Sequence, residues 1–257
     1  LLNNNDINLI KQFVPDLIIN CAAYTQVDLA ESNQDLAMQV NAFALEKLTV
    51  EAKKLGSVFI HFSTDYVFNG EYQKPLNEND IKEPLSVYGI SKFAGENIIK
   101  NSGINYYIFR VGWLYSEYSH NFVKSIITKG LSENSLKVVN DQFGSPTSSY
   151  FIADAINHLI QNKKFFHSFG TYHLASSGVT SWYDFALEIK DQSLKIDNKF
   201  TADIFPIKSD ISSNIAKRPK YVHLSKEKIK DVFNVSIPSW ENLLEENFNG
   251  IYWSASK

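Results

Sequence analysis

Four short apolar runs, near-continuous rather than alternating, do most to limit the folds open to this chain. They are Leu17-Ile18-Ile19, Val58-Phe59-Ile60-His61-Phe62, Tyr106-Tyr107-Ile108-Phe109-Arg110-Val111 and Tyr172-His173-Leu174. Runs of this kind suit strands buried on both faces of a sheet. Between the first two, Leu36, Val40, Ala44, Leu48, Ala52 and Leu55 recur every three or four residues, which predicts a helix. Gly56 follows as a left-handed cap. A second helical stretch, roughly 86–100, follows the Val58–Phe62 run. Strand–helix–strand alternation predicts an α/β fold with a parallel sheet flanked by helices.

Beyond about residue 112 the pattern loosens. Helical stretches are expected near 120–129, 149–160, 181–190, 225–231 and 240–247, with strand-like pieces at Leu136–Val139 and Ile204–Ile207. This reads as a smaller lobe attached to the sheet. The polar segment 191–203 reads as a loop.

Composition narrows the function classes. With 44% hydrophobic residues in 257, the chain can bury a sizeable core. A net charge of −3 argues against a nucleic-acid partner held by bulk charge. No run approaches the ~18–20 apolar residues of a spanning helix. Residues 1–13 lack the basic start and apolar centre of a signal peptide, so a cytoplasmic setting is expected. The one cysteine, Cys21, excludes an intrachain disulfide and reads as a packed small hydrophobe. Six histidines show no metal-ligand spacing, so no metal is expected. Glu241, Glu245 and Glu246 read as a solvated helix face, and Trp182 and Trp240 as packing residues.

The strongest chemical signal is Tyr88-Gly89-Ile90-Ser91-Lys92. Tyr and Lys at i and i+4 share one helix face. A neighbouring ammonium favours a phenolate, which makes Tyr88 a candidate acid toward a carbonyl oxygen. The Val58–Phe62 run leads straight into Ser63-Thr64-Asp65-Tyr66-Val67-Phe68, and ligands in open α/β sheets sit beyond the carboxyl ends of strands. Thr64 there offers either a hydrogen bond to a substrate carbonyl or a turn cap. Leu17–Ile19 leads into Asn20-Cys21-Ala22-Ala23-Tyr24-Thr25, where two alanines let a flat ligand approach the backbone.

These blocks occur in order: Asn20–Asp28, Val40-Asn41, Ser63–Gly70, Tyr88–Lys92, Arg110–Trp113, Asn121-Phe122, Asp141–Thr147 and Arg218-Pro219. Together they resemble the dTDP-4-dehydrorhamnose reductase family of the extended short-chain dehydrogenase/reductase superfamily, over roughly residues 7–248. The resemblance implies a Rossmann-type, doubly wound sheet with a smaller α/β substrate-binding lobe. It implies an NAD(P)-binding domain of 1–112 plus about 149–176, and a nucleotide-sugar lobe of 113–148 plus about 177–257. It further implies reduction of a C4 keto sugar by NADPH or NADH, with a dTDP-sugar as substrate and a homodimer as one assembly open to it.

Tyr88, Lys92 and Thr64 are the catalytic residues that the resemblance implies. Ala22, Ala23, Tyr24, Thr25 and Asn41 join Tyr88 and Lys92 on the cofactor side, Asn41 supporting the lysine through a water. Thr64, Asp65, Tyr66, Val67, Trp113 and Asn121 are the implied substrate contacts. Two other readings stand beside this one: a non-catalytic regulatory subunit resembling that of methionine adenosyltransferase, and a related nucleotide-sugar reductase or epimerase.

One departure is an absence. No G-x-G-x-x-G or G-x-x-G-x-x-G occurs among the eleven glycines. In the superfamily that turn cradles the cofactor pyrophosphate. A first βαβ unit, of order 30 residues, is expected ahead of Leu1, and the 257 residues alone are expected to bind cofactor weakly.

Overall fold

The computed structural model describes residues 4–211 and 215–256; Leu1, where the expected truncation falls, lies outside the described residues. In chain order the first half contains α1 (Asn4–Phe13), β1 (Leu17–Asn20), α2 (Val27–Ser32), α3 (Gln34–Met38), a π-helical turn (Gln39–Phe43), α4 (Ala44–Leu55) and β2 (Val58–Thr64). A 3₁₀ turn (Asp65–Val67), β3 (Pro75–Leu76), α5 (Val87–Asn101), β4 (Tyr106–Val111) and β5 (Leu114–Tyr115) follow. Then come α6 (Phe122–Ser132), β6 (Ser135–Val139), β7 (Phe143–Gly144), β8 (Thr147–Ser148), α7 (Ser149–Gln161) and β9 (Gly170–His173). The chain closes with β10 (Thr180–Ser181), α8 (Trp182–Ile196), β11 (Asp203–Ile207), β12 (His223–Leu224), α9 (Glu227–Phe233) and α10 (Trp240–Ala255).

The four apolar runs become one parallel sheet, ordered β1-β2-β4-β9. Ile19 lies opposite Ile60, Phe62 opposite Phe109, and Phe109 opposite Tyr172. Helices cover both faces. On one, Ile7, Leu45, Leu48 and Ile99 of α1, α4 and α5 pack on Phe59 and Ile108. On the other, Phe151 and Ile156 of α7 and Ile229 and Phe233 of α9 pack on Ile60 and Phe109. This is the doubly wound arrangement, and its carboxyl-end edge runs through Asn20, Thr64, Val111 and His173.

A second core forms where α6, α8 and α10 meet β6 and β11, with Val123, Ile127, Phe185, Ile189, Leu244 and Tyr252 at its centre. The two strand-like pieces pair in parallel, Leu136 opposite Ile204. Segment 191–203 is not all loop: α8 continues to Ile196. Its polar residues hid the helical period, yet Gln192 and Ser193 are buried and the Ser193 hydroxyl donates back to the Ile189 carbonyl. Helix α1 also escaped the sequence reading, because Asn-rich spacing masks the single row of Ile7 and Ile10 that docks on the core.

The predicted helix over Leu36–Leu55 forms with an interruption: the π turn carries Asn41, and Gly56 closes α4 at φ 69°. Such turns insert a residue and re-aim side chains, often at functional sites. Here α5 crosses so closely that a Cβ on Gly95 would collide with the Asn41 carbonyl oxygen. Gly95→Ala is therefore expected to cost about 1–3 kcal/mol by overpacking. Thermal unfolding checks this; an unchanged midpoint would show that the two helices can part without loss.

Arg110, embedded in an apolar run, has no exposed surface. Its guanidinium donates from Nε to Glu96 Oε1 and from Nη2 to Oε2, both at 2.8 Å. The Ser63 hydroxyl and the Lys100 ammonium also donate to Glu96. Burial works against the Glu96 charge, but Arg110 and Lys100 outweigh it and hold the carboxyl at about 2.

Candidate active site

Tyr88 and Lys92 lie one turn apart on α5, whose start is fixed by the Ser86 hydroxyl accepting from the Gly89 amide at 3.2 Å. The helix points this face at the end of β2. There Thr64 terminates the strand, and its hydroxyl accepts from the Tyr66 amide at 3.2 Å and donates to Asp65 Oδ1 at 3.1 Å. The same hydroxyl faces the Tyr88 phenol. Thr64 is thus a turn cap and a site residue at once; the two readings of the sequence are not exclusive.

Electrostatics differ from the sequence expectation at Tyr88. Burial pushes its phenol up to about 12, the Thr64 hydroxyl pulls the other way, and the Asp65 carboxylate adds to the rise. Lys92 does not bring it down, because burial lowers the lysine itself to about 8, partly offset by Glu96. The result is a phenol that keeps its proton, as a donor must. Asp65 is buried beneath Gly112, where a Cβ would sit 2.6 Å from Asp65 Oδ2. Burial raises its carboxyl to about 7.

Lys92 donates from Nζ to the Phe62 carbonyl at 2.6 Å and lies 3.2 Å from His61 Nε2. Asn41 makes direct bonds within the protein. Its amide pins Tyr24, accepting from Tyr24 N at 2.8 Å and donating to Tyr24 O at 3.0 Å. It also donates to Ser91 Oγ, which donates to the Tyr88 carbonyl. The π turn therefore braces the Ala22–Thr25 turn against α5. Ala22 and Thr25 are exposed, and Ala23 and Tyr24 half-buried. Small side chains, a pinned backbone and the nearby lysine suit a nicotinamide–ribose group; a glycine-rich pyrophosphate turn is not among these 257 residues.

The remaining expected residues divide. Tyr66 meets Tyr88 edge-on at 5.6 Å between ring centroids, and the Arg218 charge lies close enough to favour its ionised form against burial. Val67 has no exposed surface and packs with Phe68 and Leu76, so its side chain serves the core. Trp113 stacks on Trp182 at 3.3 Å, half-buried. Asn121 caps α6, accepting from the Lys124 amide and donating to the Ser116 carbonyl. Cys21, read as a packed residue, is exposed, since it follows the last residue of an edge strand. Among the described residues no cluster could hold a metal ion.

Two clefts open beside these residues. One, of about 930 Å³, is lined by Asn69, Gln142, Lys217, Arg218 and Tyr221 among others. The second, of about 730 Å³, is lined by Phe122, Lys129 and Trp182 and shares Gln142 and Arg218 with the first. Arg218 is held by a two-point pair with Asp28, Nη1 to Oδ1 at 3.0 Å and Nη2 to Oδ2 at 2.7 Å. Sequence reasoning noted Arg218-Pro219 only as a matching block. Its partner lies 190 residues away, a pairing no single sequence displays.

The model of the RmlD substrate binding domain family matches residues 3–252. The chain is 35% identical over 251 residues to the dTDP-4-dehydrorhamnose reductase of Escherichia coli (strain K12), covering 95% of this chain and 82% of that one. The chain belongs to the dTDP-4-dehydrorhamnose reductase family. Solved structures of the family superpose closely. The Bacillus anthracis reductase, in complex with NADP, matches with a TM-score of 0.88 at 34% identity, covering 96% of this chain and 85% of that chain. The Clostridium acetobutylicum relative matches with a TM-score of 0.87 at 35% identity, covering 96% and 85%.

Proposed function

We propose that this protein reduces the C4 keto group of dTDP-4-dehydro-L-rhamnose to give dTDP-L-rhamnose, using NADPH. The observation that carries the reading is the Thr64–Tyr88–Lys92 set, assembled at the carboxyl end of a parallel sheet in a member of this reductase family. Bound NADPH would supply hydride to the sugar C4. Tyr88 then gives its phenolic proton to the C4 oxygen as negative charge develops there. Thr64, facing the phenol, steers that proton and the incoming carbonyl. Lys92 holds the nicotinamide ribose beside the Ala22–Thr25 turn.

We place the nucleotide part of the substrate in the clefts that meet at Arg218, with Lys217 and Lys220 available to a diphosphate. Tyr66, beside Arg218 and in edge contact with Tyr88, links this region to the proton donor. The division into an NAD(P)-binding domain of 1–112 plus about 149–176 and a sugar lobe from the rest belongs to the same proposal. So do a homodimer, which light scattering would reveal, and a cytoplasmic setting. No described helix is long and apolar enough to cross a membrane.

Thr64→Val tests the steering role. The loss of one positioned hydroxyl is expected to lower kcat about 10²-fold, with about 1 kcal/mol lost from the turn cap. An unchanged kcat in a variant showing that stability loss would leave Thr64 as a cap only.

A further inference from the structure

We infer that His61 and Asn20 act together as positioning residues that set the proton on Lys92 and tie it to the cofactor-side turn. The inference rests on the catalytic role proposed above for Lys92. Its basis is a hydrogen-bond chain with a fixed direction. The Ala22 backbone amide donates to Asn20 Oδ1 at 3.1 Å. That fixes the Asn20 amide so that Nδ2, a donor only, faces His61 Nδ1 at 3.0 Å. Nδ1 must then accept, and a neutral imidazole carries its one proton on Nε2. Nε2 faces Lys92 Nζ at 3.2 Å.

An ammonium has three donors and no acceptor. It cannot receive the Nε2 proton, whereas a neutral amine can, while still donating to the Phe62 carbonyl. Charging Lys92 therefore requires His61 to move its proton to Nδ1, where it would meet the Asn20 donor. One hydrogen bond must be lost. Hydrogen bonding to a neutral form disfavours the charged one. His61 is itself kept neutral, since burial and the Lys92 charge both disfavour an imidazolium.

The other ionisable groups around Lys92 are accounted for. On α5, Tyr88 precedes it and Glu96 follows, the latter supporting the ammonium but engaged by Arg110 from β4 and by Lys100. Beyond β2, Asp65 faces Thr64 and Tyr88. Beyond β1, Cys21 is the next titratable side chain after Asn20. None of these supplies an acceptor for Nε2–H. The chain ends at Ala22, so a cofactor resting on the Ala22–Thr25 turn presses on the residue that orients His61.

The test begins with ¹⁵N-histidine NMR of the folded full chain. Above about pH 8, where Lys92 is neutral, the Nε2–H tautomer of His61 is expected, and the Nδ1–H tautomer there would overturn the inference without any variant. Next, Asn20→Leu removes the locking donor without adding charge, freeing Nε2 to accept from the ammonium. The alkaline limb of kcat/KM, where the lysine loses its proton, is expected to move up by about one pH unit. The same change made in a His61→Phe background is expected to move it no further. A limb that stays put in Asn20→Leu, or moves equally in both backgrounds, overturns the inference. Lys92→Met separates the two readings. Full activity there removes the catalytic role of Lys92, while lost activity with unmoved limbs removes only the part given to His61 and Asn20.

Discussion

Tyr88→Phe is expected to lower kcat by 10²–10⁴-fold, the usual worth of a positioned proton donor, with little change in substrate KM. The geometry makes this a clean subtraction. The phenol oxygen faces Thr64, while the ring keeps its edge contact with Tyr66 at 5.6 Å. The Tyr88 backbone carbonyl, which accepts from Ser91, is untouched. Removing one hydroxyl therefore costs about 0.5–1.5 kcal/mol of stability at most, and the fold persists. Burial holds the phenol at about 12, so it carries its proton at any working pH. The alkaline fall in rate then belongs to Lys92, near 8, rather than to the tyrosine. Steady-state kinetics on the variant decide the matter; retained turnover would remove Tyr88 from the chemistry.

The second large effect concerns stability. Arg110→Met is expected to destabilise the protein by about 3–5 kcal/mol, because it strands the Glu96 carboxylate in a core with no exposed side-chain surface. The pair also sets an acid window. Glu96 has its folded pKa depressed to about 2 from an ordinary 4.5. The stability it contributes is therefore fully present above about 4.5 and is lost as pH falls toward 2. Urea titrations at neutral pH and across that window measure both quantities. A variant as stable as the parent, with the same acid profile, would mean that Lys100 and Ser63 satisfy Glu96 without the arginine.

Much of this arrangement is legible in the residues because the signals are local. Near-continuous apolar runs marked all four strands of the parallel sheet; burial on both faces leaves no room for alternation in β2 and β4, whereas β1, at the edge, leaves Ile19 exposed. Gly56 after Leu55 marked a helix end by its capping chemistry. Tyr88 and Lys92 fell on one face because four residues make about one turn.

What stayed hidden depends on contacts between distant segments. The π turn at Asn41 is imposed by the crossing with Gly95, fifty-four positions on, and has no periodic signature of its own. Val67 and Asn121 sit in matching blocks, yet one is spent on the core and the other on capping α6. The rise at Tyr88 could not be read from its spacing to Lys92, because the burial that lowers the lysine is a property of the folded site. Likewise, Asp28 and Arg218 meet only once segments 190 positions apart are folded together.

The most direct measurement is the loss of NADPH absorbance when the full-length protein is mixed with the dTDP-4-keto sugar, with the product analysed by mass spectrometry. One NADPH consumed per dTDP-L-rhamnose formed, abolished in Tyr88→Phe, is the expected result. No turnover by folded protein that binds both NADPH and the sugar nucleotide would contradict the proposed reduction.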